Sequence, residues 1–438
     1  MSKSTILHAI RVLKSHIIYS YSQNWNKEQI ENHQDKKLIN IVKHAARNVP
    51  YYRNLFSNIG FDANDFRGRI DMHKVPLLDK QTLRTRQKEF IADNADRFGI
   101  NWETTSGSTG TPLKLAIDNS TKAHKLGAVL RSYRWAGYIP WKRTFSIQSY
   151  KFADPKAIYK HYPMVNMWRF NSRLLSKDAS LEILAMINDL KPEMMIGYPF
   201  SIYMLSKFAK DERIPIHPIR SIVTAGETLS EKRRILLEEA YQCSVYDFYS
   251  HHEDVAIISE CKKHSKHLFD DFSYTEIIDE QTGETKTSGS GELVGTGFYN
   301  YAMPLIRYRV GDKVVLNDNQ EPCPCGCRFR TLEEIIGRQN DYIVTPDGRY
   351  IGNVLEHAID KSKGVILSQC VQDSVDHVYL NLIVDNTFSQ DSIGDLEKGI
   401  RARLGDELLI DYKIVTELEK KPSGKTPFIM SKIGQEFI

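Results

Sequence analysis

Residues 104–112 read Thr-Thr-Ser-Gly-Ser-Thr-Gly-Thr-Pro, a run of hydroxyls and glycines. Small residues let a backbone close on an anion, and N–H and hydroxyl groups there all donate, so the loop suits a polyphosphate. Its bland alternative is a surface turn. The common P-loop needs a Gly-Lys-Ser/Thr ending with a helix straight after it. Here Gly424-Lys425-Thr426 has Glu419, not glycine, five positions before Gly424, which argues against a P-loop kinase or NTPase. A second cluster runs Tyr246-Asp247-Phe248-Tyr249-Ser250-His251-His252-Glu253. A tyrosine at a strand end can stack on a base, and Glu253, four residues on, can hold Mg²⁺; capping or surface duty is the alternative. Asp312, in Arg307-Tyr308-Arg309-Val310-Gly311-Asp312, either makes a turn or accepts hydrogen bonds from ribose hydroxyls. Lys425 lies in a Pro/Ser/Gly loop that could carry a point charge to a phosphate; alternatively it is one of 59 Lys and Arg residues on a solvated surface.

Six cysteines are present, and Cys323, Cys325 and Cys327 fall within five positions. That crowding is metal-like and does not resemble a disulfide framework. Cys261-x₂-His264 and Cys323-x-Cys325 supply three thiolates and an imidazole, the set for a closed, structural tetrahedral Zn²⁺ site. Cys327 and His267 are the spare candidates, and reduced thiols in a tight Pro/Gly turn are the alternative. Cys243 and Cys370 read as core.

These residues need elements to position them. Apolar residues at helical spacing predict helices over 5–20, 35–47, 120–135, 178–190 and 230–241. In the first, Arg11 and Lys14 interrupt the apolar residues, which fits docking on its own domain or lying on a membrane or partner surface. Ile100–Thr104 and Pro112–Asp118 predict a hairpin whose tip is the Ser/Gly loop. Short strands at 219–223 and 245–249 flank a helix, and such alternation implies a mostly parallel sheet with crossover helices. Residues 291–316 turn β-rich, and composition shifts after Gly337-Arg338 in the polar turn that includes Asn340 and Asp341. Residues 340–438 read as a small α+β unit. The expected fold is therefore α/β: a large N-terminal domain of mixed sheets flanked by helices, with a β-rich part at 255–335, plus a small C-terminal α+β domain.

Composition bounds the function. With 438 residues the chain has room for two or three domains. It is 41% hydrophobic and 26% charged, which excludes extended disorder and fibrous classes. A net charge of +4 gives no reason to expect nucleic acid as partner. No apolar run reaches transmembrane length. Clustered reduced cysteines and no visible signal peptide make the cytoplasm the expected compartment.

In order along the chain, these pieces resemble the adenylate-forming (acyl-activating) enzyme superfamily. The 104–112 loop resembles its phosphate loop, Gly226-Glu227-Thr228 its adenine-side segment, and Tyr249 to Glu253 its Tyr-Gly-x-x-Glu motif. Asp312 matches the ribose aspartate, Arg338 the arginine beside the hinge, and Lys425 the C-terminal catalytic lysine. Within that superfamily the chain is similar to the phenylacetate–CoA ligase branch, CapK-type proteins included. The stretches that carry this are NVPYYRNLF at 48–56, VPLLDKQTLR at 75–84, GYPFSIYML at 197–205 and MPLIRYRVGD at 303–312. Ser250 stands where that pattern usually has glycine and is followed by His251 and His252, which points to an acid other than phenylacetate.

The resemblance implies a two-step ligase. A carboxylate and MgATP give an acyl-adenylate, and the acyl group passes to CoA or another acceptor, with surface polysaccharide assembly as one setting. An amide or ester on a sugar, made without CoA, is the alternative acceptor chemistry. A nucleotide-binding partner protein without turnover is the alternative class. By resemblance, Ser106, Gly107, Ser108, Thr109, Gly110 and Thr111 hold phosphates, together with Gly226, Glu227, Thr228, Tyr249, Asp312 and Arg338 around the nucleoside. Thr105, Glu253 and Lys425 act in catalysis, Glu253 through Mg²⁺. Tyr150, Tyr198, His251 and His252 face the acid, and Asn340 and Asp341 form the hinge between residues 1–339 and a lid of residues 340–438.

Overall fold

The computed structural model describes residues 3–104, 113–318, 322–338, 343–346, 350–351, 359, 362–420, 426–431 and 433. The Thr105 to Thr111 loop, the hinge pair Asn340 and Asp341, and Lys425 lie outside the described residues, as does the side chain of Arg338. Packing divides the chain into two units, Met1–Gly137 with Tyr246–Ile335, and Tyr138–Val245 with Ile336–Ile438. Among the described residues no helix is long and apolar enough to cross a membrane.

In the first unit, Asn26 and Gln29 form a reciprocal cap that starts the helix Lys27–Asn48. Ile30, Gln34, Leu38, Ile41, Val42 and Ala45 recur on its buried side at the period a helix requires. The helix Lys3–Ser22 lies along the helix Asn119–Trp135. Ile100–Thr104 pairs antiparallel with Lys114–Asp118, so the hydroxyl-rich segment joins two paired strands as its composition predicts. Asp118 caps the next helix by accepting from Thr121 N at 2.7 Å.

A larger sheet in this unit runs in the order Ser273–Ile278, Gly289–Gly297, Tyr308–Leu316, Thr331–Arg338, Lys266–Leu268, Ile257–Glu260, Ser244–Ser250. Ala256, Ile258, Leu268, Ile277, Leu293, Val314, Leu316 and Leu332 form its core. Alternation along Tyr308–Leu316 puts Asp312 on the same buried side as Val314 and Leu316. An acid on that side needs partners to replace lost water.

In the second unit, Ser221–Ala225, Met194–Gly197, Thr144–Gln148 and Met167–Asn171 are parallel neighbours, and Tyr159–Tyr162 adds an antiparallel edge. The three strands Thr144–Gln148, Met194–Gly197 and Ser221–Ala225 are buried on both faces, as parallel strands covered by crossover helices must be. A Cβ on Gly197 would meet the Ile147 carbonyl oxygen at 2.4 Å, so glycine is required where those strands approach. Residues Leu409–Ile414, His377–Val384, Val365–Ser374 and Ile429–Ser431 form a mixed four-stranded sheet, in that order. It shares a core with the helix Gln390–Leu404, built from Cys370, Leu380, Leu382, Leu396, Ile400 and Phe428.

Candidate nucleotide site and metal centre

Strand Ser244–Ser250 pairs antiparallel with Ile257–Glu260, Tyr249 lying opposite Ile258. The connection between them therefore projects His251, His252, Glu253 and Asp254 from a sheet end, with Asp254 in the left-handed region at φ 55°. The Tyr249 hydroxyl donates to Asp312 Oδ2 on strand Tyr308–Leu316, fixing aromatic ring and acid as one unit. Glu253 is buried. Its Oε1 accepts from the Tyr308 hydroxyl at 3.2 Å and lies 3.6 Å from Lys80 Nζ, while its Oε2 lies 3.4 Å from His251 Nδ1. Burial works against its charge, but the His251 ring and the Lys80 ammonium outweigh burial and hold the carboxyl well below the usual carboxylate range. An acid held ionised in this way suits a divalent cation.

The same loop is anchored from two other elements. Lys125 Nζ donates to the His251 carbonyl at 3.1 Å and pairs with Asp254. Glu103 lies 3.0 Å from Lys122 Nζ and 3.7 Å from His252 Nδ1, and this His252 contact, with Lys122, draws the half-buried carboxyl down to about 2. His251 is buried, and neither of its ring nitrogens makes an aligned hydrogen bond among the described residues. His252, by contrast, is exposed.

In the second unit, Gly226 follows strand Ser221–Ala225 with φ 82°, a conformation that favours glycine. Glu227 Oε2 accepts from Phe200 N at 3.2 Å, and Oε1 from Thr426 N at 2.7 Å. Thr426 is the residue after Lys425, so an acid of the expected nucleotide segment fixes the backbone next to the expected catalytic lysine. The Tyr150 hydroxyl lies 2.7 Å from Ser146 Oγ and 3.1 Å from Gln148 Oε1. Tyr198 starts the helix Pro199–Asp211 and is buried, and burial pushes its phenol up.

Cys261, His267, Cys323 and Cys325 converge, their ligand atoms all within 4.8 Å of one another. Cys261 Sγ lies 3.8 Å from Cys323 Sγ, and Cys325 Sγ 3.5 Å from His267 Nε2. Tetrahedral zinc with Zn–S about 2.3 Å and Zn–N about 2.0 Å calls for about 3.8 Å and about 3.5 Å between such atoms. His267 Nδ1 donates to the Phe329 carbonyl at 3.2 Å, leaving the Nε2 lone pair for a metal.

The expected fourth ligand, His264, is corrected to His267. His264 sits at φ 58° in the turn after Cys261, and its ring stacks on Tyr246 at 4.9 Å with Nδ1 3.3 Å from Glu260 Oε2. His267 lies on the next strand opposite Ser259 and is fully buried. Cys327 is outside the cluster, its thiol pushed up to about 12 by burial.

Lys80, Glu103, Lys122, Lys125 and Tyr308 also surround the 251–254 loop; Lys80 and Tyr308 fall within quoted stretches but were given no role, and no motif or spacing pointed to the other three. They come from a capped helix, a hairpin, a helix and a strand, all distant in sequence.

A family model described as the CapK C-terminal domain matches residues 343–432. The chain is 24% identical over 427 residues to Protein CapK of Staphylococcus aureus, covering 92% of this chain and 89% of that protein. It is 25% identical over 428 residues to a phenylacetate-coenzyme A ligase of Pseudomonas putida, covering 92% and 94%. Its fold is similar to that of 2-hydroxyisobutyryl-CoA ligase in the postadenylation state, with TM-score 0.76, 16% identity, and coverage of 93% of this chain and 91% of that one. An anthranilate CoA ligase in complex with anthranoyl-AMP is similar at TM-score 0.53 and 17% identity, over 75% of this chain and 66% of that one. Over nearly its whole length the chain is thus similar to phenylacetate–CoA ligases and to CapK, and its fold is that of adenylate-forming CoA ligases.

Proposed function

We propose that this protein is an AMP-forming ligase that activates a carboxylic acid with ATP and passes the acyl group to the thiol of CoA. The observation that carries the reading is the Tyr249 hydroxyl donating to buried Asp312, beside a buried Glu253 held ionised by its surroundings. Tyr249 offers a ring face to adenine, and Asp312 accepts from the ribose hydroxyls. Glu253 would hold Mg²⁺, which when bound offsets phosphate charge. Ser106 to Thr111 cradle the phosphates and Thr105 supports them. Gly226 to Thr228 line the adenine, and Arg338 steadies the nucleoside.

In the first step a substrate carboxylate oxygen forms a bond to the α-phosphorus, and the bond from that phosphorus to pyrophosphate breaks. Lys425 neutralises charge on the carboxylate and α-phosphate as they meet; little else is asked of the protein than positioning and charge. In the second step the thiol sulfur bonds to the acyl carbon, AMP leaves, and the thiol proton passes to solvent. Residues 340–438 act as the lid, turning about Asn340 and Asp341 between the steps.

Tyr150, Tyr198, His251 and His252 are the proposed acid-facing residues. Among them the buried His251 ring, which beside its Nδ1 contact with Glu253 Oε2 at 3.4 Å makes no aligned hydrogen bond among the described residues, is the one suited to read a polar group on the acid. Cys261, His267, Cys323 and Cys325 are the proposed ligands of a structural Zn²⁺, which would tie the strands Ile257–Glu260 and Lys266–Leu268 to the Cys323–Cys325 turn. The match of residues 343–432 to a CapK domain favours one further reading, a sugar amine or hydroxyl as acceptor in place of CoA.

Incubation with MgATP, CoA and a panel of aryl, aliphatic and sugar acids, followed with a thiol reagent, tests the proposal. Acid-dependent loss of free thiol with matching AMP release supports it. AMP release without thiol loss, only when a sugar acceptor is added, would replace CoA by that acceptor.

A further inference from the structure

The helix Lys3–Ser22 has one side committed to its own unit. A Cβ added at Gly127 would come within 2.8 Å of Ser15 Cβ and 2.9 Å of His16 N, so the two helix backbones touch through glycine. Tyr19 is fully buried with its hydroxyl 3.0 Å from His124 Nδ1, and Arg131 Nη1 donates to the Tyr19 carbonyl at 3.3 Å. The Ser22 hydroxyl donates to Asp271. Ser15, Tyr19 and Ser22 thus clamp one face.

The opposite face is apolar and exposed. Leu7, Ile10, Leu13, Ile17, Ile18 and Tyr21 all point outward, Leu13 at 59% and Tyr21 at 71% exposure. At 100° per residue these six fill one continuous arc, with Lys14 in its middle and Arg11 at its edge. Residues 1–27 contain Lys3, Arg11, Lys14 and Lys27 and no Asp or Glu. Arg134 adds a further cation on the flank, its Nη1 3.2 Å from His16 Nε2. An apolar arc set among cations and free of acids is complementary to an anionic lipid surface: the alkyl side chains enter the acyl boundary, and the long basic side chains reach back to the headgroups.

We propose that the outward face of helix Lys3–Ser22 docks the protein on an anionic membrane surface. The proposal is independent of the ligase reading. Because the clamp holds the helix on the folded unit, docking also holds that unit at the membrane.

Co-sedimentation of the full chain with vesicles tests this. Phosphatidylglycerol–phosphatidylcholine vesicles should pellet the protein, and pure phosphatidylcholine should do so about tenfold less well, with binding weakened as salt shortens the range of the charges. An Ile10→Ser/Leu13→Ser/Ile17→Ser triple variant should abolish pelleting with an unchanged circular dichroism spectrum. An Arg11→Glu/Lys14→Glu variant, which leaves every apolar residue in place, should abolish only the preference for anionic vesicles. Absence of pelleting on anionic vesicles would overturn the proposal. So would pelleting indifferent to both variants, or a dimer in light scattering that the triple variant disperses without any vesicle binding, since a second copy would then be the occupant.

Discussion

Asp312 occupies the buried side of its strand, where an ionised carboxylate costs solvation unless hydrogen bonds replace the water it lost. Tyr249 supplies one such bond, and in the proposed complex the ribose hydroxyls add to it. Hydrogen bonds to a charged group contribute about 1.5–3 kcal/mol, so Asp312→Ala should raise the KM for ATP by about 10- to 100-fold, with a smaller loss in kcat. Steady-state kinetics against ATP checks this, and an unchanged KM would remove Asp312 from the nucleotide. His251 is the residue for a second test. His251→Phe keeps an aromatic ring of similar size but removes both nitrogens, so preference within an acid panel should shift from polar to apolar acids. Unaltered selectivity would show that the acid does not meet this side chain.

Among the elements, the β segments around Cys261 and Cys323 make the sharpest distinction. His267→Ala should abolish bound zinc and lower the thermal midpoint, whereas His264→Ala should keep about one zinc per chain in metal analysis of untagged protein. The reverse pattern would restore the Cys-x₂-His reading. That reading went astray because linear spacing favours His264, while the turn's left-handed residue sends its ring to Tyr246 and the following strand delivers His267. The paired strands Ile100–Thr104 and Lys114–Asp118 and the strands that carry Tyr249 and Asp312 were legible because alternation and glycine leave local marks. Lys80, Lys122 and Lys125 were not, since each is a lysine on an ordinary surface helix until the tertiary fold brings it to the 251–254 loop. Helix Asn119–Trp135 carries a further consequence. Burial, with Lys37 and His33 nearby, depresses His124 to about 3 from 6.5, and its ring stacks on Tyr299 at 3.5 Å. The neutral form is the folded one, so its contribution is complete above about 6.5 and is lost as pH falls from there towards 3. Urea midpoints at neutral and mildly acid pH should therefore diverge less for His124→Phe than for the unaltered protein, even though the variant is less stable at neutral pH through loss of the Tyr19 contact.

For the whole molecule, the proposed two-step ligase assigns to Lys425 the charge that distinguishes catalysis from mere nucleotide binding. Glu227 accepting from Thr426 N ties an acid of the proposed nucleotide segment to the backbone that follows that lysine. ATP–pyrophosphate exchange tests the central claim most directly, because it reads the first step without needing the acceptor. Run against aryl, aliphatic, amino and sugar acids, the unaltered protein should exchange with one acid class. Lys425→Ala should lose the exchange by at least about a hundredfold, as removal of a positioned transition-state charge does elsewhere, while still binding ATP. Exchange that survives in Lys425→Ala would contradict the role of Lys425, and ATP binding without exchange on any acid would contradict the ligase.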